Sequence, residues 1–125
     1  MPISLRRLEG GYAIAQLAAD AAIPSWCDGE GFVSINRTDD ELSVVCLQSR
    51  IPDDVKADRD WRCFKFVGPF AFDETGIALS VIRPLSENGI GIFLVSTFNT
   101  DFLLVKNRDA AAVERHLQSV GHHIC

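Results

Sequence analysis

The stretch Gly89 to Lys106, GIGIFLVSTFNTDFLLVK, limits the possible folds more than any other part of the chain. Two apolar runs, Ile90 to Val95 and Phe102 to Val105, flank Ser-Thr-Phe-Asn-Thr-Asp, a segment rich in hydroxyls and amides. Strand-like runs on either side of a polar turn predict a buried hairpin with hydrogen-bonding groups at its tip. Any ligand chemistry is expected at that tip.

The segments around the hairpin extend the pattern. A strand is expected at Arg62 to Val67, followed by a loop bracketed by Gly68-Pro69 and Asp73 to Gly76. Ile77, Val81, Ile82 and Leu85 recur at helical spacing and Gly89 offers a stop, so Thr75 to Asn88 is expected to be helical. Pro84 has no N–H for the carbonyl of Ser80, which predicts a kink or an early end. Beyond the hairpin, Asn107 or Asp109 can cap a second helix whose apolar face is Val113, Leu117 and Val120, ended by Gly121, and His122 to Ile124 supplies an edge strand. The order β-α-β-β-α-β is the α+β, ferredoxin-like split motif: an antiparallel four-stranded sheet covered on one face by two helices.

The first half reads as a shorter version of the second. GYAIAQL, Gly11 to Leu17, is a strand, and Ala21 to Trp26 allows at most one helical turn. Phe32 to Asn36 and Glu41 to Leu47 form a hairpin across the polar turn Arg37-Thr38-Asp39-Asp40. Laid over the later hairpin at an offset of 62 residues, it aligns Ser34 with Ser96, Thr38 with Thr100 and Asp39 with Asp101. Ile51 to Trp61 is polar and suits a connecting turn. The expected organisation is an abbreviated unit at residues 1–60 followed by a complete one at 61–125.

Charge and cysteine usage narrow the function. A net charge of -5 argues against a nucleic-acid backbone as partner, since that binding needs clustered Lys and Arg. Apolar runs fall far short of the ~20 residues of a membrane span, and the weakly signal-like segment after Arg6 and Arg7 is interrupted by Glu9 and Gln16, so it is read as a strand. Cys27, Cys46, Cys63 and Cys125 show no CxxC spacing, which points to buried free thiols and a cytoplasmic location. No nucleophile elbow, phosphate loop or paired-acid motif is present, and His116 has no evident acid partner, so no catalysis and no cofactor are expected. His122, His123 and Cys125 are potential metal ligands but lack a second group at recognisable spacing, and no metal is assigned to them.

The loop AFDETGI, the helix ending PLSENGI and the hairpin IFLVSTFNTDFLLV together resemble the small tandem ACT-domain proteins, a group similar to the modules of the cytosolic arginine sensor family. GFVSINRTDDELSVVC resembles the first module of these proteins, so the resemblance covers nearly the whole chain. It implies a regulatory protein that binds an amino acid where two ACT units meet, with a homodimer expected. By position, the implied site comprises Glu74, Thr75, Gly76, Ile77 and Ala78 at the loop and helix start, with Thr97, Phe98 and Asp101 at the hairpin tip. The chemistry suits such a ligand independently: helix N-terminal N–H groups attract a carboxylate, and Asp101 can receive an ammonium or guanidinium.

Simpler readings stand beside these. Asp101 can be a solvated turn residue, Phe98 a plug against a neighbouring unit, and Thr75 merely the cap of a helix starting near Gly76. The alternative function is a structural or protein-interaction ACT module with no ligand, using an exposed sheet edge or helix face.

Overall fold

The computed structural model describes residues 2–71 and 73–125, which fall into two compact units, residues 2–8 with 62–71 and 73–125, and residues 9–61. The division departs from the expected one at the N-terminus, because the first strand, β1 (Ser4–Arg7), belongs with the second half of the chain. Its partners explain this. Leu5 lies opposite Phe66 of β5 (Ala57–Phe66), antiparallel, and opposite Ile124 of β8 (His123–Ile124), parallel. All three side chains join one apolar cluster.

In the larger unit β5 is followed by α1 (Ile77–Glu87), β6 (Phe93–Ser96), β7 (Asp101–Lys106), α2 (Ala110–Ser119) and β8, the split βαβ order of a ferredoxin-like α+β fold. The strand order is β8-β1-β5-β7-β6. The sheet therefore has five strands rather than the expected four, since β1 is inserted between β5 and β8. Leu5, Phe64, Phe66, Leu103 and Val105 from alternate strand positions meet Ile77, Val81 and Leu85 of α1 and Val113 and Leu117 of α2. Both helices thus cover the same face.

α1 runs through Pro84 to Glu87 without ending early. Pro84 leaves the Ser80 carbonyl without its helical donor, and His122 takes that place: its Nε2 lies 2.9 Å from the Ser80 oxygen. The Ile3 backbone N–H donates to His122 Nδ1 at 3.0 Å. A backbone N–H can only donate and a carbonyl can only accept, so the ring is neutral and carries its proton on Nε2. This buried imidazole thus ties α1 to the start of β1.

The smaller unit has strand order β3-β4-β2-β5, all antiparallel, from β2 (Tyr12–Leu17), β3 (Ser34–Arg37), β4 (Leu42–Leu47) and the first half of β5. β5 begins at Ala57, where the sequence suggested a connecting turn. Its polar residues Asp58 and Asp60 alternate with less exposed ones because this half pairs with β2. The unit has no α-helix, only 3-10 turns at Ser25–Cys27 and Gln48–Arg50, and its core packs Leu42, Val44 and Ile51 against the small residues Ala13, Ala15, Cys27 and Cys46.

The two hairpins do repeat, in a different register from the expected one. Ser34–Arg37 and Phe93–Ser96, Leu42–Leu47 and Asp101–Lys106, and Gln48–Arg50 and Asn107–Asp109 are each displaced by 59 residues. Thr38 therefore matches Thr97, not Thr100. In each tip the threonine N–H donates to the carbonyl three residues on, Thr38 to Glu41 at 2.9 Å and Thr97 to Thr100 at 2.8 Å. Both hydroxyls cross the same turn, at 3.4 and 3.0 Å. The side-chain identities seen at the longer offset do not correspond to equivalent backbone positions.

The Tyr12 hydroxyl, fully buried, accepts the Phe32 N–H at 3.0 Å. Gly31 sits beside it with φ +84, and a Cβ there would lie 2.6 Å from that hydroxyl. Gly31→Ala therefore adds a clash to a left-handed backbone, and is expected to destabilise the chain by about 2 kcal/mol. Urea unfolding followed by the fluorescence of Trp26 and Trp61, both in this unit, checks it.

Candidate functional site

The hairpin tip is held in place by its own hydrogen bonds. Besides the bonds within the turn, the nearly buried Thr100 donates its hydroxyl to the Phe66 carbonyl at 2.8 Å, and the Phe70 N–H donates to the Asn99 carbonyl at 3.0 Å. These bonds fix the tip to the end of β5 and to the loop that follows it. Phe98 stands out from the tip at 79% exposure.

Facing the tip is the start of α1. Gly76 is the residue before the first turn, with φ +79, a conformation in which a side chain is strained by about 1 kcal/mol. No side chain caps the helix, and its first turn carries no acidic residue. Thr75 is therefore not the cap. The first-turn amides are left with a partial positive charge, a site suited to a carboxylate. Upstream, Glu74 folds back to accept the Ala71 N–H at 2.8 Å, which holds the loop in place. Phe72 of the AFDETGI motif lies outside the described residues.

Tip and helix start enclose an open cavity of about 430 Å³. Glu74, Gly76, Ile77 and Ala78 line one side, and Thr97, Phe98 and Asp101 the other. Thr75 alone of the expected residues does not line it. Phe70, Ala71, Leu79, Ser96, Asn99 and Thr100 also contribute, and sequence reasoning did not single them out. Asn99 and Thr100 were within the recognised tip. Leu79 was hidden because it lies off the apolar stripe of α1, more than half exposed at 53%. Asp101, at the first position of β7, is half-buried opposite Ser96, and no cation is paired with it among the described residues. Positive helix amides and a free carboxylate thus bound one cavity.

Two of the thiols, Cys46 and Cys63, are set up differently from nucleophiles. Burial pushes the Cys63 thiol up to about 12, and burial, with a smaller contribution from Cys27, raises that of Cys46 against the opposing effect of Arg50. A catalytic cysteine needs the opposite shift. Cys63 also makes a pH prediction. Its folded value exceeds the unfolded one, so its contribution to stability is complete below about pH 9 and is lost as pH rises towards 12. Above pH 9 the unfolding free energy should fall by up to about 1.4 kcal/mol per pH unit from this group. Urea titrations at pH 8, 9.5 and 10.5 should show that slope, reduced in Cys63→Val. His123 and Cys125 are exposed while His122 is buried and doubly bonded, and among the described residues no cluster of His, Cys, Asp or Glu is arranged to hold a metal ion. Nor, among those residues, is any helix long and apolar enough to cross a membrane.

The fold and this groove define a small ferredoxin-like α+β module. A family model described as an ACT domain matches residues 56–119, and another, for an N-terminal domain, matches residues 10–54. The chain belongs to the ACT-domain family. It is 35% identical over 99 residues to the human protein CASTOR3P, a match covering 74% of this chain and 53% of that one. It is 46% identical over 39 residues to the human protein named cytosolic arginine sensor for mTORC1 subunit 1, covering 31% of this chain and 12% of that protein. The chain thus spans at most about half the length of these relatives. A crystal structure of a protein from Agrobacterium tumefaciens superposes with a TM-score of 0.96 at 61% identity, covering 100% of this chain and 93% of that one.

Proposed function

We propose that this chain is a non-catalytic regulatory ACT protein that binds a free amino acid in the groove between the α1 N-terminus and the β6–β7 tip. The observation that carries the reading is the placement of opposite charge on the two walls. Uncapped helix amides suit an α-carboxylate, and Asp101 suits an ammonium or guanidinium. The relative named as an arginine sensor supports this class of ligand and makes arginine the first to test. The groove is open, and Phe98 and Leu79 on its rim present apolar surface, so a second copy closes it in a homodimer. The four unbridged cysteines suit a cytoplasmic protein.

A thermal-shift screen of the purified chain against the common amino acids tests the proposal. A ligand at a hundred times its Kd should stabilise the folded state by about 2.7 kcal/mol. A selective rise in Tm supports it. No shift with any amino acid, in a sample shown to be folded, overturns it in favour of a module that uses the same apolar rim only for protein contact.

A further inference from the structure

A second cavity, of about 240 Å³, lies by the same hairpin tip but is lined by different charges. Because Leu5, Phe64, Phe66, Leu103 and Val105 face the helices, strand alternation places Arg6, Lys65 and Phe102 on the helix-free face of the sheet. Arg6 and Lys65 lie directly opposite each other in the β1–β5 register. Like charges in that relation repel. Among the described residues neither side chain makes a hydrogen bond or an ion pair, although the chain as a whole is acidic, with a net charge of -5. Both line the cavity, with Asn99 at one end and Val67, Pro69 and Phe102 as apolar walls. Thr97 and Thr100 also line it, but their hydroxyls are committed to the Thr100 and Phe66 carbonyls, whereas the Asn99 carboxamide has no partner among the described residues.

We infer that this cavity is a binding site for a small organic dianion, either a phosphate monoester or a dicarboxylate. An anion between Arg6 and Lys65 removes their repulsion and forms charge-assisted bonds to both, the guanidinium in bidentate fashion. The apolar walls accept a short carbon skeleton, and the small volume of about 240 Å³ suits a ligand of that size. The inference does not depend on the amino-acid reading, because Asp101, Glu74 and the α1 start are not part of this cavity.

Calorimetric titration of the full chain with glycerol 3-phosphate and with succinate, at an ionic strength matched with sodium chloride, tests it. Saturable binding of one or both is expected, weakened at least about tenfold in Arg6→Gln and in Lys65→Gln and lost in the double variant. Which anion binds identifies the ligand class. Neither side chain has a folded-state partner among the described residues, so the variants should fold with an unchanged or higher Tm, and they should leave any amino-acid-induced shift intact. Absence of saturable binding, or binding that persists in the double variant, overturns the assignment.

Discussion

Replacing His122 by Phe should lower the unfolding free energy by about 3 kcal/mol and the Tm by about 10–15 °C, a large effect for a residue near the end of the chain. Phenylalanine fills the volume, so the loss is of hydrogen bonds. The Ile3 N–H would be left buried without a partner and the Ser80 carbonyl part-buried without one, together costing about 3 kcal/mol. The origin of the second cost is Pro84, which cannot supply the N–H that Ser80 would receive in an unbroken helix. That connection gives a sharper test. In a Pro84→Ala background the helix has its own donor for Ser80, so His122→Phe should then cost about 1 kcal/mol less. A double-mutant cycle by urea unfolding, monitored by circular dichroism, measures the coupling. Strict additivity would mean that the His122–Ser80 contact adds nothing measurable, leaving the bond from the Ile3 N–H as the histidine's contribution.

The same pair shows where sequence reading reaches and where it stops. Pro84 was legible as a conflict with the helical period, and the period was right: Ile77, Val81 and Leu85 do form the buried stripe of α1. The resolution of the conflict was not legible, because His122 is 42 residues from Ser80 and no local pattern announces that contact. Strand β1 was missed as a member of the larger unit for a similar reason. Its partners, β5 and β8, are distant in sequence, and register between distant strands is decided by which side chains share a core. The hairpin tip was legible because turn chemistry is local. Its alignment with the earlier hairpin went wrong because matching side chains at Asp39 and Asp101 competed with the backbone turn, which instead pairs Thr38 with Thr97. For the groove, the loop motif and the tip supplied most of the lining, whereas Leu79 depends on how α1 is rotated about its axis over the sheet.

Asp101→Ala should weaken amino-acid binding by about tenfold to a hundredfold while leaving the fold almost unchanged. A charge-assisted bond contributes about 1.5–3 kcal/mol, and each 1.4 kcal/mol is a factor of ten in Kd. Stability should move by no more than about 0.5 kcal/mol, since no ion pair among the described residues is lost and the backbone of β7 keeps its pairing with Ser96. Asp101→Asn separates charge from shape. If the carboxylate receives a cationic group, the Asn variant should lose nearly as much affinity as Ala; if it only holds the turn, Asn should bind like the unaltered chain. Phe98→Ala supplies the contrasting measurement. Its ring is exposed on the rim rather than charged, so its truncation should chiefly weaken self-association, read by light scattering, and reduce ligand affinity only in proportion to the dimer lost. Ligand affinity that survives Asp101→Ala but falls with dilution of the protein would move recognition from the carboxylate to the contact between copies.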